Sequence, residues 1–426
     1  MKRGGQLIVR TADAGPAGPF VGSPTIAAAW TRDPARGEKV GRLKTISAIH
    51  TVLNEAGPIA HVQLRSLAER PKPANLISCA WGLLSSLAGL RPLPLQVVLF
   101  AAAGERRRAR RALESADIVY LDSIRLFLLL RDIRRRRPGA RIVLDMDDLM
   151  SRRMRLVGES QLPLSLGYLE RRFPRVVVRA VGHPRLAGLV ARLEAAALAR
   201  IEREAVALAD AVTLVSRADA DALVDALGPE AARLRTRIHV IPPAVEPVAA
   251  PDGFVPPVRF VFVGTDRLMQ NRLTIDYLMT LWRRWSPTAE LHLFGRLSRS
   301  YDPPPGIVLR GYVEDLREVY DGHSVLLSPV FLRGGIKTKI PEAFARGCPV
   351  AGNAAAFEGL GLADYPLMLE TEAEWRALVT DPKAWLAQLR EGARAGRAFV
   401  VAELSPRVFR ARWRAALGVE PVDTPG

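Results

Sequence analysis

The residues best placed for chemistry lie in one stretch, residues 331–362, FLRGGIKTKIPEAFARGCPVAGNAAAFEGLGL. Gly334 and Gly335 open a loop, Lys337 and Lys339 follow, and Glu342 falls in the first turn of the helix expected next. Loop amides, the positive end of a helix dipole and the two ammonium groups make a seat for a phosphate or pyrophosphate. Glu342, one turn in, is a candidate acceptor for the hydroxyls of a ribose diol. Its plain structural alternative is helix N-terminal electrostatics, helped by Pro341. Lysines are ordinarily solvated loop charges. Here lysines are few among the 61 basic residues, and two of them fall in this loop.

Other clusters close strand-like runs. Gly264 ends RFVFV and opens TDRLMQN, with Asn271 at its end and Arg267 and Arg272 nearby. A glycine there permits close backbone approach to a ligand, or simply a tight turn. VLRGYV brings a turn at Gly311, with Tyr312 and Val313 after it. In the first half, Ser123-Ile124-Arg125 and Asp145-Met146-Asp147-Asp148 each follow an apolar strand, and Gly37 lies in the turn DPARGEK. Three aspartates suggest a divalent cation, but no histidine accompanies them, and metal is the minority reading.

Taken together, Glu342-Ala343-Phe344-Ala345-Arg346-Gly347-Cys348-Pro349-Val350 and the glycine-rich loop before it resemble the donor-binding half of GT-B glycosyltransferases, group 1 or family 4 type. A subgroup associated with exopolysaccharide assembly is similar over about residues 25–417, through GG-I-K and LEAAALARIERE leading into TLVS. The resemblance implies a retaining, metal-independent hexosyltransferase that needs no cofactor, since the nucleotide-sugar is a substrate. It implies that Gly37, Gly264, Asn271, Tyr312, Val313, Gly334, Gly335, Ile336 and Thr338 bind a UDP- or GDP-sugar. Lys337 and Arg333 would stabilise the leaving diphosphate, with Glu342 and Asp148 completing the catalytic set. Arg125 and Asp145 would face a glycan or lipid-linked acceptor. Two family features are missing: Gly334 stands where many relatives have a second glutamate, and no cleft histidine is present, so the acceptor-activating group is unnamed. Two rival readings follow, a non-catalytic scaffold of polysaccharide machinery and a nucleotide-sugar epimerase of the same fold.

Apolar runs alternating with helical patterns predict an α/β fold of two doubly wound, Rossmann-like parallel-sheet domains facing a cleft. Strands are expected at 25–30, 61–64, 117–121, 141–145, 211–216 and 238–241. A second set is expected at 259–263, 290–294, 307–309, 324–328, 349–352 and 366–369. This divides the chain into a loose extension (1–23), an acceptor domain (24–245), a proline-rich linker (246–257) and a donor domain (258–399), with a helix at 400–417 returning to the first domain. The stretch 186–210 has Leu193, Ala197, Ile201, Ala205 and Leu208 spaced for one buried helix face.

With 426 residues and 49% hydrophobic content, the chain can bury cores of this size. Two cysteines cannot build a disulfide framework, and the N-terminal stretch has no signal-peptide core, so a cytoplasmic location is expected. No apolar run reaches the ~20 residues of a spanning helix. The net charge of +17 comes mostly from arginine and reads first as basic helix faces. Contact with an anionic membrane on its inner face comes second, with Leu90, Leu93 and Leu95 as a candidate apolar lip near the cleft mouth. Nucleic acid is disfavoured, because the basic runs lack interleaved aromatics.

Overall fold

The computed structural model describes residues 24–35, 42–88, 91–159, 184–248 and 254–419. Two all-parallel sheets organise them. The first contains β1 (Ile26–Trp30), β2 (Ile59–Gln63), β3 (Ile118–Asp122), β4 (Arg141–Asp147), β5 (Ala211–Leu214) and β6 (Ile238–Val240), in the order β2-β1-β3-β4-β5-β6. The second contains β7 (Arg259–Val263), β8 (Leu291–Phe294), β9 (Ile307–Gly311), β10 (Ser324–Ser328) and β11 (Val350–Gly352), in the order β11-β10-β7-β8-β9. The expected strand at 366–369 does not form; Met368 makes a lone parallel bridge to Gly352.

Strands covered on both faces read as continuous apolar runs, and β1 (IAAAW), β3 (IVYLD) and β10 (SVLLS) are buried at every position. The side-chain period of two then sorts the first sheet between two cores. Ala27, Ala29, Val119, Leu121, Ile142 and Leu144 point to one core. Ile26, Ala28, Trp30, Ile118, Tyr120 and Val143 point to the other, which Phe409, Trp413 and Leu417 of helix Pro406–Leu417 close. The end of the chain thus packs on the first sheet. On helix Pro184–Leu208, Ala197, Ile201 and Ala205 are buried as expected, whereas Leu193 is 64% exposed.

Crossovers leave each sheet at a point where strand order reverses, and a crevice opens there at the carboxyl ends of the strands. In the first sheet this point lies between β1 and β3, and in the second between β7 and β10. The loops beyond β7 and β10 carry Gly264–Asn271 and Arg333–Lys339, so topology brings two separate motifs to one crevice.

Candidate functional site

Asn271 ties the two loops of the second domain together. Its Nδ2 donates to the Thr265 carbonyl at 3.0 Å and its Oδ1 accepts from Lys339 Nζ at 3.0 Å. A Cβ at Gly264 would stand 2.6 Å from that Nδ2, so the position has room only for glycine. Across the crevice Gly334 and Gly335 take φ of +100° and +61°, in the left-handed region that side chains disfavour. A Cβ at Gly359 would stand 2.3 Å from the Gly335 carbonyl oxygen, so this second glycine-bearing turn holds the loop from beneath.

Lys337 is buried, and its Nζ donates to the Gly334 carbonyl at 2.5 Å. Lys339 Nζ lies 3.9 Å from the Phe262 ring centroid. Neither ammonium forms an ion pair with a described carboxylate; both are held by neutral oxygens. Burial lowers the Lys337 ammonium, and pushes Lys339, further opposed by Lys337, down to about 7. Between about pH 7 and the ordinary lysine range, the unfolded chain holds a proton that folded Lys339 has released, so stability rises with pH there. Unfolding free energies from urea titrations at pH 7 and pH 9 should show a rise of at most about 2 kcal/mol that Lys339→Met removes.

The remaining donor-side candidates ring this centre. Helix Lys339–Phe344 has only 6 residues, so its dipole is small beside the two ammonium charges. Thr338 precedes it with an exposed side chain that makes no capping bond, and Ile336 packs against the domain core. Arg333 is 59% exposed on its side chain and reaches Glu358 at 3.4 Å. Glu342 meets Lys44 of the first domain at 3.3 Å. Tyr312 is 57% exposed, with the Arg296 guanidinium 4.4 Å from its ring centroid, and Val313 packs inward.

The first domain faces this loop with acidic groups. Asp148 follows β4, and a Cβ at Gly335 would lie 3.0 Å from its Oδ1; Arg153 Nη1 is 3.1 Å from Oδ2. Asp145 is inside the domain. It is 2% exposed and accepts from Tyr120 Oη and Thr213 Oγ1, each at 2.9 Å, and from Arg42 at 2.5 Å. Arg125 is held by Gln96 Oε1 at 3.1 Å, beside rather than within the aspartate cluster. Gly37 lies outside the described residues.

Arg42, at the start of helix α1 (Arg42–Ala56), is the organiser that sequence reading missed. Its guanidinium donates to Asp122 at 2.9 Å, Asp145 at 2.5 Å and Asp147 at 3.0 Å. Burial disfavours the guanidinium charge, yet the three carboxylates hold it charged, its pKa well above the ordinary value. Asp122 and Asp145 are register partners on adjacent parallel strands, so their side chains share one face and need a cation between them. The signal available in the sequence was weaker: an aspartate at the end of each of two strand-like runs, Asp122 and Asp145. Asp147 sits at a register shift with φ +66°, an unusual conformation for a residue other than glycine. Burial, and then the neighbouring carboxylates against Arg42, push its carboxyl up to about 7.

A second missed element joins the domains. Arg152, in helix Met150–Glu159, donates to Asp219 at 3.0 Å and to Glu358 of the second domain at 2.7 Å. Glu358 therefore serves Arg152 and Arg333 at once, and its second oxygen is buried without a partner among the described residues.

Solved structures of similar shape define the class. Sucrose-phosphate synthase from Thermosynechococcus elongatus is 14% identical with a TM-score of 0.55, covering 92% of this chain and 98% of its own. The lipopolysaccharide outer core galactosyltransferase WaaB is 12% identical with a TM-score of 0.55, covering 92% and 99%. Anabaena HepE, solved with UDP-glucose, is 13% identical with a TM-score of 0.52, again covering 92% and 99%. TarM is matched over 70% of this chain, which spans about half of that protein's length, 54%. At these identities the likeness establishes the architecture, the GT-B arrangement of two parallel-sheet domains facing a cleft. Residues 257–391, within the second domain, match the family of glycosyl transferases group 1. No curated protein matches the sequence.

Proposed function

We propose that the protein is a retaining glycosyltransferase. It moves a hexose from a UDP- or GDP-sugar to a glycan or lipid-linked acceptor in cell-surface polysaccharide assembly, from the cytoplasmic side. One observation carries this reading: a buried lysine, Lys337, and a half-buried one, Lys339, neither paired with a described carboxylate, converge on a glycine-walled crevice where strand order reverses. A buried charge held only by neutral groups is costly, and a diphosphate would supply the missing counter-charge. HepE, with the same architecture, was solved with UDP and with UDP-glucose, which supports a uridine nucleotide as the first donor to try.

In this reading the bond from the anomeric carbon to the diphosphate breaks as the acceptor oxygen bonds to that carbon on the same face. The acceptor proton leaves with the diphosphate. Lys337 and Arg333 meet the charge that develops there, so the chain needs neither cofactor nor metal for that role. Glu342, Tyr312 and Val313 hold the nucleoside, while Asp148 faces the sugar across the cleft with Arg125 and Asp145 behind it. Closing the domains excludes water and limits hydrolysis of the donor.

Thermal shifts against a panel of nucleoside diphosphates test the reading, because a ligand that binds only the folded form raises the midpoint. UDP or GDP should stabilise the chain, and Glu342→Ala should weaken that binding roughly tenfold through loss of a charge-assisted pair of hydrogen bonds. Product analysis with the matching sugar donor then separates transfer from isomerisation. No shift with any nucleoside diphosphate would end the proposal.

A further inference from the structure

Helix α2 (Pro73–Ala88, PANLISCAWGLLSSLA) contains no charged residue, yet it lies on the surface. Its inner side is accounted for. Cys79 is buried with Val98, Ala101 and Ala102, and the Ser78 hydroxyl accepts from the Ala103 amide at 3.0 Å. The outer side is apolar too: Ile77 is 70% exposed, Trp81 72% and Leu84 61%, at i, i+4 and i+7 along one helical face. A helix with apolar groups on both its inner and outer sides is normally buried in a core or in lipid. No helix among the described residues is long and apolar enough to cross a membrane.

The apolar surface continues past α2. Leu95, at the start of helix α3 (Leu95–Val98), is 48% exposed, and its amide donates to Glu194 at 2.8 Å. Beside that glutamate, Leu189 and Leu193 on helix Pro184–Leu208 are 55% and 64% exposed. Of the lip expected from sequence, only Leu95 takes part: Leu93 packs against the cores, and Leu90 lies outside the described residues. Along the other margin runs helix α4 (Ala103–Ala112, AGERRRARRA), where Arg107, Arg108 and Arg111 line a shallow concavity of about 360 Å³. Among the described residues Arg107 makes only a backbone contact, at 3.4 Å, and Arg108 shares Glu105 with Arg70. The rim therefore carries an excess of positive charge.

We infer that the outer face of α2, with Leu95 and the arginine rim of α4, is a docking surface for an anionic lipid bilayer. Aromatic and aliphatic side chains flanked by arginines match the boundary between acyl chains and negatively charged headgroups. A protein partner would equally cover the apolar strip, but the excess of arginine over glutamate along α4 selects a negatively charged surface, which headgroup phosphates provide. The strip also ends beside the cleft, since Gln96 of α3 holds Arg125. A bilayer seated there would bring a membrane-borne acceptor to the acceptor wall, a consequence that rests on the transferase reading, whereas the docking itself does not.

Vesicle flotation of the full chain tests this without any donor or acceptor. The protein should float with phosphatidylcholine vesicles containing phosphatidylglycerol at low salt, bind pure phosphatidylcholine much more weakly, and lose binding as salt rises. The double variant Ile77→Ser, Trp81→Ser should lower partitioning on the order of 100-fold by removing buried apolar area. The triple variant Arg107→Ala, Arg108→Ala, Arg111→Ala should lose a similar factor on anionic vesicles. All five side chains are at the surface, so unchanged circular dichroism and thermal midpoints would show the fold intact. Absence of flotation at low salt would overturn the inference. So would flotation insensitive to both variants, or a dimer on size exclusion that the double variant abolishes while vesicles bind nothing.

Discussion

Replacing Arg42 with leucine is expected to unfold the first domain near neutral pH. The guanidinium is shared by Asp122, Asp145 and Asp147, and the first two side chains are only 2% exposed. Removing one partner of a buried ion pair leaves an uncompensated charge and costs about 3–5 kcal/mol. Here three carboxylates lose their counter-ion together, so the upper part of that range applies. Such a loss is a large fraction of the ~5–15 kcal/mol that holds a domain folded. The pH dependence has a definite sign. Without Arg42 the folded cluster keeps protons that the unfolded chain releases, so the variant regains stability as pH falls from neutral toward the ordinary carboxylate range. Urea titrations at pH 7 and pH 5 check it. A variant as stable as the parent at pH 7, or one that weakens on acidification more steeply than the parent, would show that the cluster is not held together by this charge.

Replacing Lys337 with alanine is expected to lower turnover by about 100- to 1000-fold, the usual cost of removing a preorganised group aimed at developing charge. Its effect on nucleotide affinity should be much smaller. The reason lies in when the charge appears. A diphosphate bonded to sugar carries less negative charge than the departing one, so a cation at the leaving oxygen gains most in the transition state. Lys337 is buried beside a carbonyl rather than a carboxylate, so its charge is not already consumed within the fold. Lys339, held by Asn271, should then carry more of the ground-state binding. UDP release followed with a sugar donor, alongside equilibrium binding of UDP, separates the two effects. Equal losses in turnover and affinity would move Lys337 from the reacting centre to simple binding.

Much of the fold was legible because its signals are local. The apolar runs of β1, β3, β4, β7 and β10 are bounded by turn residues, and strands buried on both faces show themselves as uninterrupted hydrophobic segments. The exception, 366–369, has the composition of a strand but lacks a neighbour along its length, pairing only at Met368. Composition reports burial; ladder formation needs a partner in register. On helix Pro184–Leu208 periodicity predicted one buried face, yet Leu193 lies beyond the reach of the core and is left outside. The exposed face of α2 was illegible for the converse reason: an apolar helical face reads alike whether protein or solvent lies beyond it.

The glycine and lysine motif of residues 334–342 was readable because its members are neighbours in the chain, and the backbone freedom of Gly334 and Gly335 is a property of the residue type itself. The chain by itself therefore determined the two parallel sheets, the loop walls and which cations stand beside them. Folding decided what those groups meet. Arg42 finds Asp122, Asp145 and Asp147 across separations of 80, 103 and 105 residues, and Arg152 finds Glu358 across 206. Such pairings are fixed by strand order and register, which are global properties. Burial then sets which charges are neutralised within the protein and which, like those of Lys337 and Lys339, are held only by neutral oxygens among the described residues.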